Sequence, residues 1–253
     1  MTMTTQWNAQ LYDTNHTFVS QYGTQLIELL NPQPKEHILD LGCGTGDLAH
    51  TLSNMGANVT GIDYSADMIH CAKEKYPHIS FHQKDARKLT YEKQFDAVFS
   101  NATLHWIKEP QQVVQQIYQA LKVRGRFVAE FGGAFNVHQI TNALIQQITE
   151  AGIPFSAQDF PWYFPTIGEY TTLLEQEGFE VQMALYFSRP TPLEGDNGMR
   201  NWLEMFSSHL FTPEQNSIKK IIFERTLQQL KPQLYSKDGW VADYKRLRIL
   251  AIK

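Results

Sequence analysis

The sequence is poor in several things, and each shortage narrows what the protein can be. It has two cysteines, Cys43 and Cys71, which exclude a disulfide framework and a cysteine-based zinc cluster. Net charge is only −4, and no basic run interrupts the chain, so a broad electrostatic grip on nucleic acid is not expected. No apolar run reaches bilayer length. The opening "MTMTTQWNAQ" lacks a basic region followed by an apolar core, so no signal peptide is expected and the cytoplasm is the default. Repeats and low-complexity stretches are missing. The nine histidines are scattered without a joining carboxylate cluster, so no metal site is expected.

What is present is an ordinary globular balance, with 42% hydrophobic residues in a chain of 253, enough for one large domain or a core with a smaller cap. Residues 17–30 carry Phe18, Tyr22, Leu26, Leu29 and Leu30 on one helical stripe, ended by "NPQP". From there short apolar runs alternate with helical patterns. The strands are "HILDL", "NVTGID", "ISFHQ", "FDAVFS" and "RFVAEF", then "EVQMALYF", with "DYKRLRILAIK" closing the chain. Ser65 can cap the helix after the second strand, and Val113, Val114, Ile117 and Leu121 give a later helix its inner face. Ile140, Leu144 and Ile148 mark another helix. Thr166 and Glu169 form a capping box, with Gly178 as the terminal glycine.

This alternation predicts an α/β fold with a doubly wound, mostly parallel sheet. Between the last two strands lies a helical insertion, with the stripe Met199, Trp202, Leu203, Phe206 and Leu210 and a capping box at Thr212 and Gln215. The expected organisation is an N-terminal helical lid over 1–35 and a cofactor-binding core over 36–190. A helical cap over 191–240 and a final core strand over 241–253 complete it. Ligands of open α/β sheets bind at the carboxyl edge of the strands.

"HILDLGCGTGDLAHTL" packs Gly42, Gly44 and Gly46 into five positions between a strand and a helix. Glycine there permits positive φ and leaves no Cβ in the way of a ligand. The helix start behind the turn offers N–H groups and partial positive charge to an anion. The spacing is G-x-G-x-G with Asp40 before it, not the dinucleotide spacing G-x-G-x-x-G. Asp47 falls where a third dinucleotide-type glycine would stand, and its charge disfavours a pyrophosphate. Both features suit a ligand with a cationic part and one carboxylate. Asp63, in "GIDYS", ends the second strand, where a carboxylate accepts both ribose hydroxyls; nicotinamide and S-adenosylmethionine sites share this feature. In "KDARKL", Asp85 can reach an adenine amino group and Ala86 offers its N–H to a ring nitrogen.

These motifs, "ILDLGCGTG", "GIDYSADMI", "KDA" and "FDAVFSNATLHW", resemble in order and spacing the class I S-adenosylmethionine-dependent methyltransferases. The likeness is strongest to the small-molecule branch that contains trans-aconitate methyltransferase. It is strong over about residues 36–131 and weaker at "QWNAQLYD" and "RLRILAIK". It implies a Rossmann-like sheet of seven strands, the last inserted beside the sixth, and S-adenosyl-L-methionine as cofactor. It also implies cofactor contacts from Asp40, Gly42, Cys43 and Gly44 to the methionine part, and from Asp63 to the ribose. Tyr64 and Met68 would flank the adenine, Asp85 and Ala86 would read its edge, and Asn101 and Ala102 would meet the methionine amino group.

Methyl transfer needs alignment and exclusion of water more than it needs a base. His105, in "NATLHW", can serve as a base toward a hydroxyl or amine acceptor, or can pack beside Trp106. A carboxylate acceptor needs no base. Trp7 and Tyr12 can close over the cofactor, with Tyr12 orienting the acceptor, or can merely anchor the terminus. Trp162 and Tyr163, in "FPWYFP", can line an acceptor pocket or pack on the core, and the same choice holds for Trp202. Arg189 and Arg200 can meet an anionic acceptor or sit in solvent. The reading is a methyltransferase acting on a small-molecule acceptor, without a nucleic-acid or membrane partner. A nicotinamide-dependent oxidoreductase and a non-catalytic S-adenosylmethionine-binding protein are the alternatives.

Overall fold

A computed structural model describes residues 17–156, 159 and 161–253. Trp7 and Tyr12 therefore lie outside the described residues. Helix α1 spans Thr17–Leu30, followed by β1 (His37–Leu41), α2 (Asp47–Asn54), β2 (Asn58–Asp63), α3 (Ala66–Lys75), β3 (Ser80–Gln83) and β4 (Phe95–Asn101). Next come α4 (Pro110–Ala120), β5 (Leu121–Gly132), α5 (His138–Glu150), α6 (Ile167–Glu177) and β6 (Glu180–Pro192). The chain finishes with α7 (Gly198–Ser207), α8 (Asn216–Leu234), β7 (Tyr235–Ser236) and β8 (Gly239–Ile252). The fold is the expected doubly wound α/β sheet, in the order β3-β2-β1-β4-β5-β8-β6, with β7 paired to β8. The last long strand lies between β5 and β6, as the resemblance implies.

Short, doubly buried strands explain the apolar runs. Ile38, Ala97, Phe99 and Val128 enter one buried cluster. Their neighbours Leu39, Leu41, Val98, Phe127 and Ala129 enter another. Successive side chains feed opposite faces, so both faces of the sheet must be apolar. β1 runs parallel to β2, with Leu41 opposite Ile62, and parallel to β4, with Asp40 opposite Phe99. These registers bring the carboxyl ends of three strands to one edge, where Asp40, Asp63 and Asn101 stand.

The local caps follow the sequence. Ser65 accepts from Met68 N at 3.3 Å. Thr166 and Glu169 form the reciprocal box, and Gly178 closes α6 at φ +106°. Three strands exceed their expected bounds. β5 begins at Leu121, where Arg124 N donates to Lys253 O at 2.9 Å and the chain's end supplies the pairing. β6 runs on to Pro192, and β8 starts at Gly239. β7 and β8 form a tight hairpin, with Ser236 opposite Gly239 and Tyr235 opposite Trp240. The expected helical insertion thus ends in a hairpin, whose turn is marked in the sequence by Asp238-Gly239.

The chain divides into two compact units. One holds the chain through Gly133, Trp162–Tyr186 and Leu247–Lys253. The other holds Ala134–Pro161 and Phe187–Arg246. In the second unit α5 and α8 exchange glutamine hydrogen bonds, Gln147 Nε2 to Gln229 Oε1 at 3.1 Å and Gln229 Nε2 to Gln146 Oε1 at 2.8 Å. Among the described residues no helix is long and apolar enough to cross a membrane.

Candidate functional site

The glycine turn follows β1 directly. Gly42, Gly44 and Gly46 take φ of +78°, +53° and +89°, a region that L side chains rarely adopt. Gly42 N and Cys43 N both donate to Ile62 O, at 2.8 and 2.9 Å, so the turn is pinned to the end of β2. The three glycines serve different purposes. A Cβ on Gly42 would stand 2.0 Å from Thr103 Oγ1, and one on Gly46 would stand 2.8 Å from Phe81. These two are required by the protein's own packing. A Cβ on Gly44 would meet nothing within 4 Å. Its surroundings are open, as a cradle for a ligand requires.

Two carboxylates lie beside the turn. Asp63 accepts from Gly44 N through Oδ2 at 3.0 Å and from Ser65 N through Oδ1 at 2.9 Å. Burial pushes its pKa up, against these backbone donors. The oxygens are thereby fixed in place, and each retains a lone pair. Asp40 is buried, at 2% exposure, and its Oδ2 has no hydrogen-bond partner. Burial, with the charge of Asp63 second, pushes the Asp40 carboxyl up to about 7. Beside them, burial raises the Cys43 thiol well above its usual range.

Among the described residues no cation pairs with Asp40. A buried carboxyl without a cation or a donor is costly, and a ligand carrying a sulfonium and an ammonium supplies what is missing. The unpartnered Asp40 oxygen and the open space at Gly44 thus fit the S-adenosylmethionine that the sequence implies. Asp47 contributes less than its position suggests. Its Oδ1 accepts from Lys75 Nζ at 2.7 Å and from Tyr76 Oη at 2.6 Å, so its charge is neutralised, and Asp40 carries the argument for a cationic ligand.

The adenine-side residues follow. Tyr64 is 60% exposed and its carbonyl accepts from Gln83 Nε2 at 3.1 Å. Met68 and Ala86 are buried. Asp85 is gripped by Arg87, with Nε to Oδ1 at 2.9 Å and Nη2 to Oδ2 at 2.7 Å. That guanidinium holds the Asp85 carboxyl below its usual range. Arg87 also reaches Glu109 Oε2 at 3.1 Å. Asn101 ends β4 opposite Glu130. Ala102 is strained at φ +56°, its N–H donating to Glu130 O at 2.7 Å.

Beyond Ala102 a 3-10 turn, Leu104–Trp106, carries His105, which is buried. Gly132 N donates to His105 Nδ1 at 3.3 Å, so the neutral ring carries its proton on Nε2. Tyr163 N donates to His105 O at 2.8 Å and draws residues 162–164 against this turn. Four rings result in one cluster. His105 stacks on Phe164 at 5.8 Å, Trp162 on Phe164 at 5.6 Å, and Trp106 meets Trp162 edge-on at 5.5 Å. The structure therefore brings His105, Trp162 and Tyr163 together and adds Phe164, which sequence reasoning missed. The only signal for Phe164 was its place in that aromatic run.

Trp202 belongs to the second unit, where it is buried and donates from Nε1 to Tyr244 Oη at 2.8 Å. Arg200 is paired with Glu224, and Arg189 lies over the Phe187 ring at 5.1 Å. Among the described residues no group of histidine, cysteine and acidic side chains could hold a metal ion.

Comparison with known proteins settles the family. A methyltransferase domain matches residues 39–129. An uncharacterised methyltransferase of Schizosaccharomyces pombe is 35% identical, over 98% of this chain and 98% of its own. The chain belongs to the class I S-adenosylmethionine-dependent methyltransferases. This methyltransferase is also 24% identical to a trans-aconitate 2-methyltransferase of an Enterobacter species, over 80% of this chain and 83% of the relative. Its fold superposes on a crystal structure described as a methyltransferase from Bacillus halodurans, with TM-score 0.61 and 17% identity over 91% of this chain and 97% of the other. Methyl transfer from S-adenosylmethionine is thus its activity, and the nicotinamide reading is not favoured.

Proposed function

We propose that this methyltransferase carries the methyl group to a small-molecule acid, held against His105 and the rings of Trp106, Trp162 and Phe164 packed beside it. The observation that carries the acceptor side is the hydrogen bond from Gly132 N to His105 Nδ1. With Nδ1 occupied, the ring offers an N–H donor rather than a base. A carboxylate acceptor arrives with its oxygen already anionic, so a donor that orients it is sufficient. The trans-aconitate 2-methyltransferase relative is in keeping with an acid.

On the cofactor side, Asp63 receives the ribose hydroxyls on the lone pairs that its two backbone donors leave. Tyr64 and Met68 flank the adenine, and Asp85 and Ala86 address its edge. Asp40, Gly42, Cys43 and Gly44 face the methionine part, together with Asn101 and Ala102. When bound, S-adenosylmethionine supplies a methyl carbon already activated on a sulfonium. Trp106, Trp162, Tyr163 and Phe164 exclude water from the acceptor side. Trp7 and Tyr12 close and orient in this proposal, and Trp202 is left out of it.

The test is transfer of labelled methyl to a panel of tricarboxylic and dicarboxylic acids, amines and phenols. Label on the acids supports the proposal. Label confined to amines or phenols overturns it.

A further inference from the structure

Asp40 is a buried acid with an unmatched oxygen. Its strand neighbours bring no compensating charge, being Gly61 on β2 and Phe99 on β4. Among the described residues the ionisable groups acting near it are both acidic, Asp63 at the end of β2 and the Cys43 thiol in the turn. Among the described residues no lysine, arginine or histidine pairs with Asp40. Asp63 differs, because the amides of Ser65, Gly44 and Tyr64 favour its ionised form.

We propose that Asp40 holds a proton in the cofactor-free protein, surrenders it to solvent when the methyl donor binds, and so distinguishes the donor from its demethylated product by charge. The proposal rests on the reading of the glycine turn as the adenosyl site. Burial disfavours the ionised form of a carboxyl, and a cation entering beside it favours that form again. Its pKa of about 7 places that exchange within the working range of most enzymes. The donor carries one positive charge more than the product, namely the sulfonium. A charged Asp40 therefore binds the donor more tightly, while loss of the sulfonium lets the proton return and loosens the product. The proton balance is complete: the O–H bond of Asp40 breaks on donor binding, and the proton passes to buffer.

Titration calorimetry on the full chain tests this in two buffers of equal pH and different ionisation enthalpy. At pH 6 the expected result is release of most of one proton per S-adenosylmethionine bound, and less for S-adenosylhomocysteine. At pH 8.5 the release should nearly vanish. Asp40→Asn should abolish the release and shrink the donor-over-product affinity ratio several-fold. Donor binding without proton release at pH 6 overturns the proposal, as does unchanged release in Asp40→Asn. The wild-type comparison stands whether or not the variant folds. If neither compound binds the folded protein, the adenosyl reading itself falls and takes the proposal with it.

Discussion

Two side chains at the site, Asp40 and His105, have properties set by what they lack or already hold. Asp40 is raised from 3.8 to about 7 in the folded protein. A folded-state pKa above the unfolded one means the native protein binds more protons between these limits, so Asp40 erodes stability as pH rises from 4 to 7. Asp40→Asn should therefore stabilise the cofactor-free protein by roughly 4 kcal/mol at pH 8, at about 1.4 kcal/mol per pKa unit, and by little at pH 4. Urea denaturation at the two pH values measures it, and an equal gain at both would contradict this account. For His105 the tautomer decides. His105→Gln, which keeps an N–H donor, is expected to hold kcat within about tenfold, whereas His105→Phe should lose about a hundredfold. Steady-state kinetics would refute the donor role if both variants fell alike.

At the scale of elements, the strand-turn-helix over β1 and α2 separates packing from binding. Gly42→Ala forces a Cβ against Thr103 and should destabilise by about 1–3 kcal/mol for overpacking, besides the left-handed strain. Gly44→Ala meets open space, so it should cost stability only about 1–2 kcal/mol of strain while sharply weakening cofactor binding. Thermal melts and calorimetry on the two variants distinguish these effects, and equal binding by Gly44→Ala and wild type would contradict the cradle. The elements were largely legible because their signals are local. Ser65, the pair Thr166 and Glu169, and Gly178 act within one helical turn. β7 and the first residues of β8 were not, since the helical pattern of the insertion runs into them and only the hairpin turn divides the two. The start of β5 escaped for a different reason: Val123 is 74% exposed and Arg124 takes φ +64°, so no apolar alternation announces a strand that the chain's end completes.

For the whole molecule, the parallel registers of β1, β2 and β4 gather Asp40, Asp63 and Asn101 at one edge. That much follows from strand order, which the motifs revealed. The pairings did not follow. Arg87 turns back two residues onto Asp85, and Lys75 crosses from α3 to neutralise Asp47. Both join loops or helix ends whose side-chain directions have no periodic signature. Ligand binding should act on the molecule as a whole. At a hundred times its dissociation constant, S-adenosylmethionine should add about 2.7 kcal/mol and raise Tm by roughly 5–10 °C. A melting scan checks it, and no shift under saturating cofactor would count against the site.

The measurement closest to the centre of the account is calorimetric titration of the wild-type chain and of Asp63→Ala with S-adenosylmethionine. One molecule should bind per chain, with the variant folded and weaker by about 1–3 kcal/mol, the scale of leaving buried polar partners unpaired. A folded Asp63→Ala that binds as tightly as wild type would contradict it.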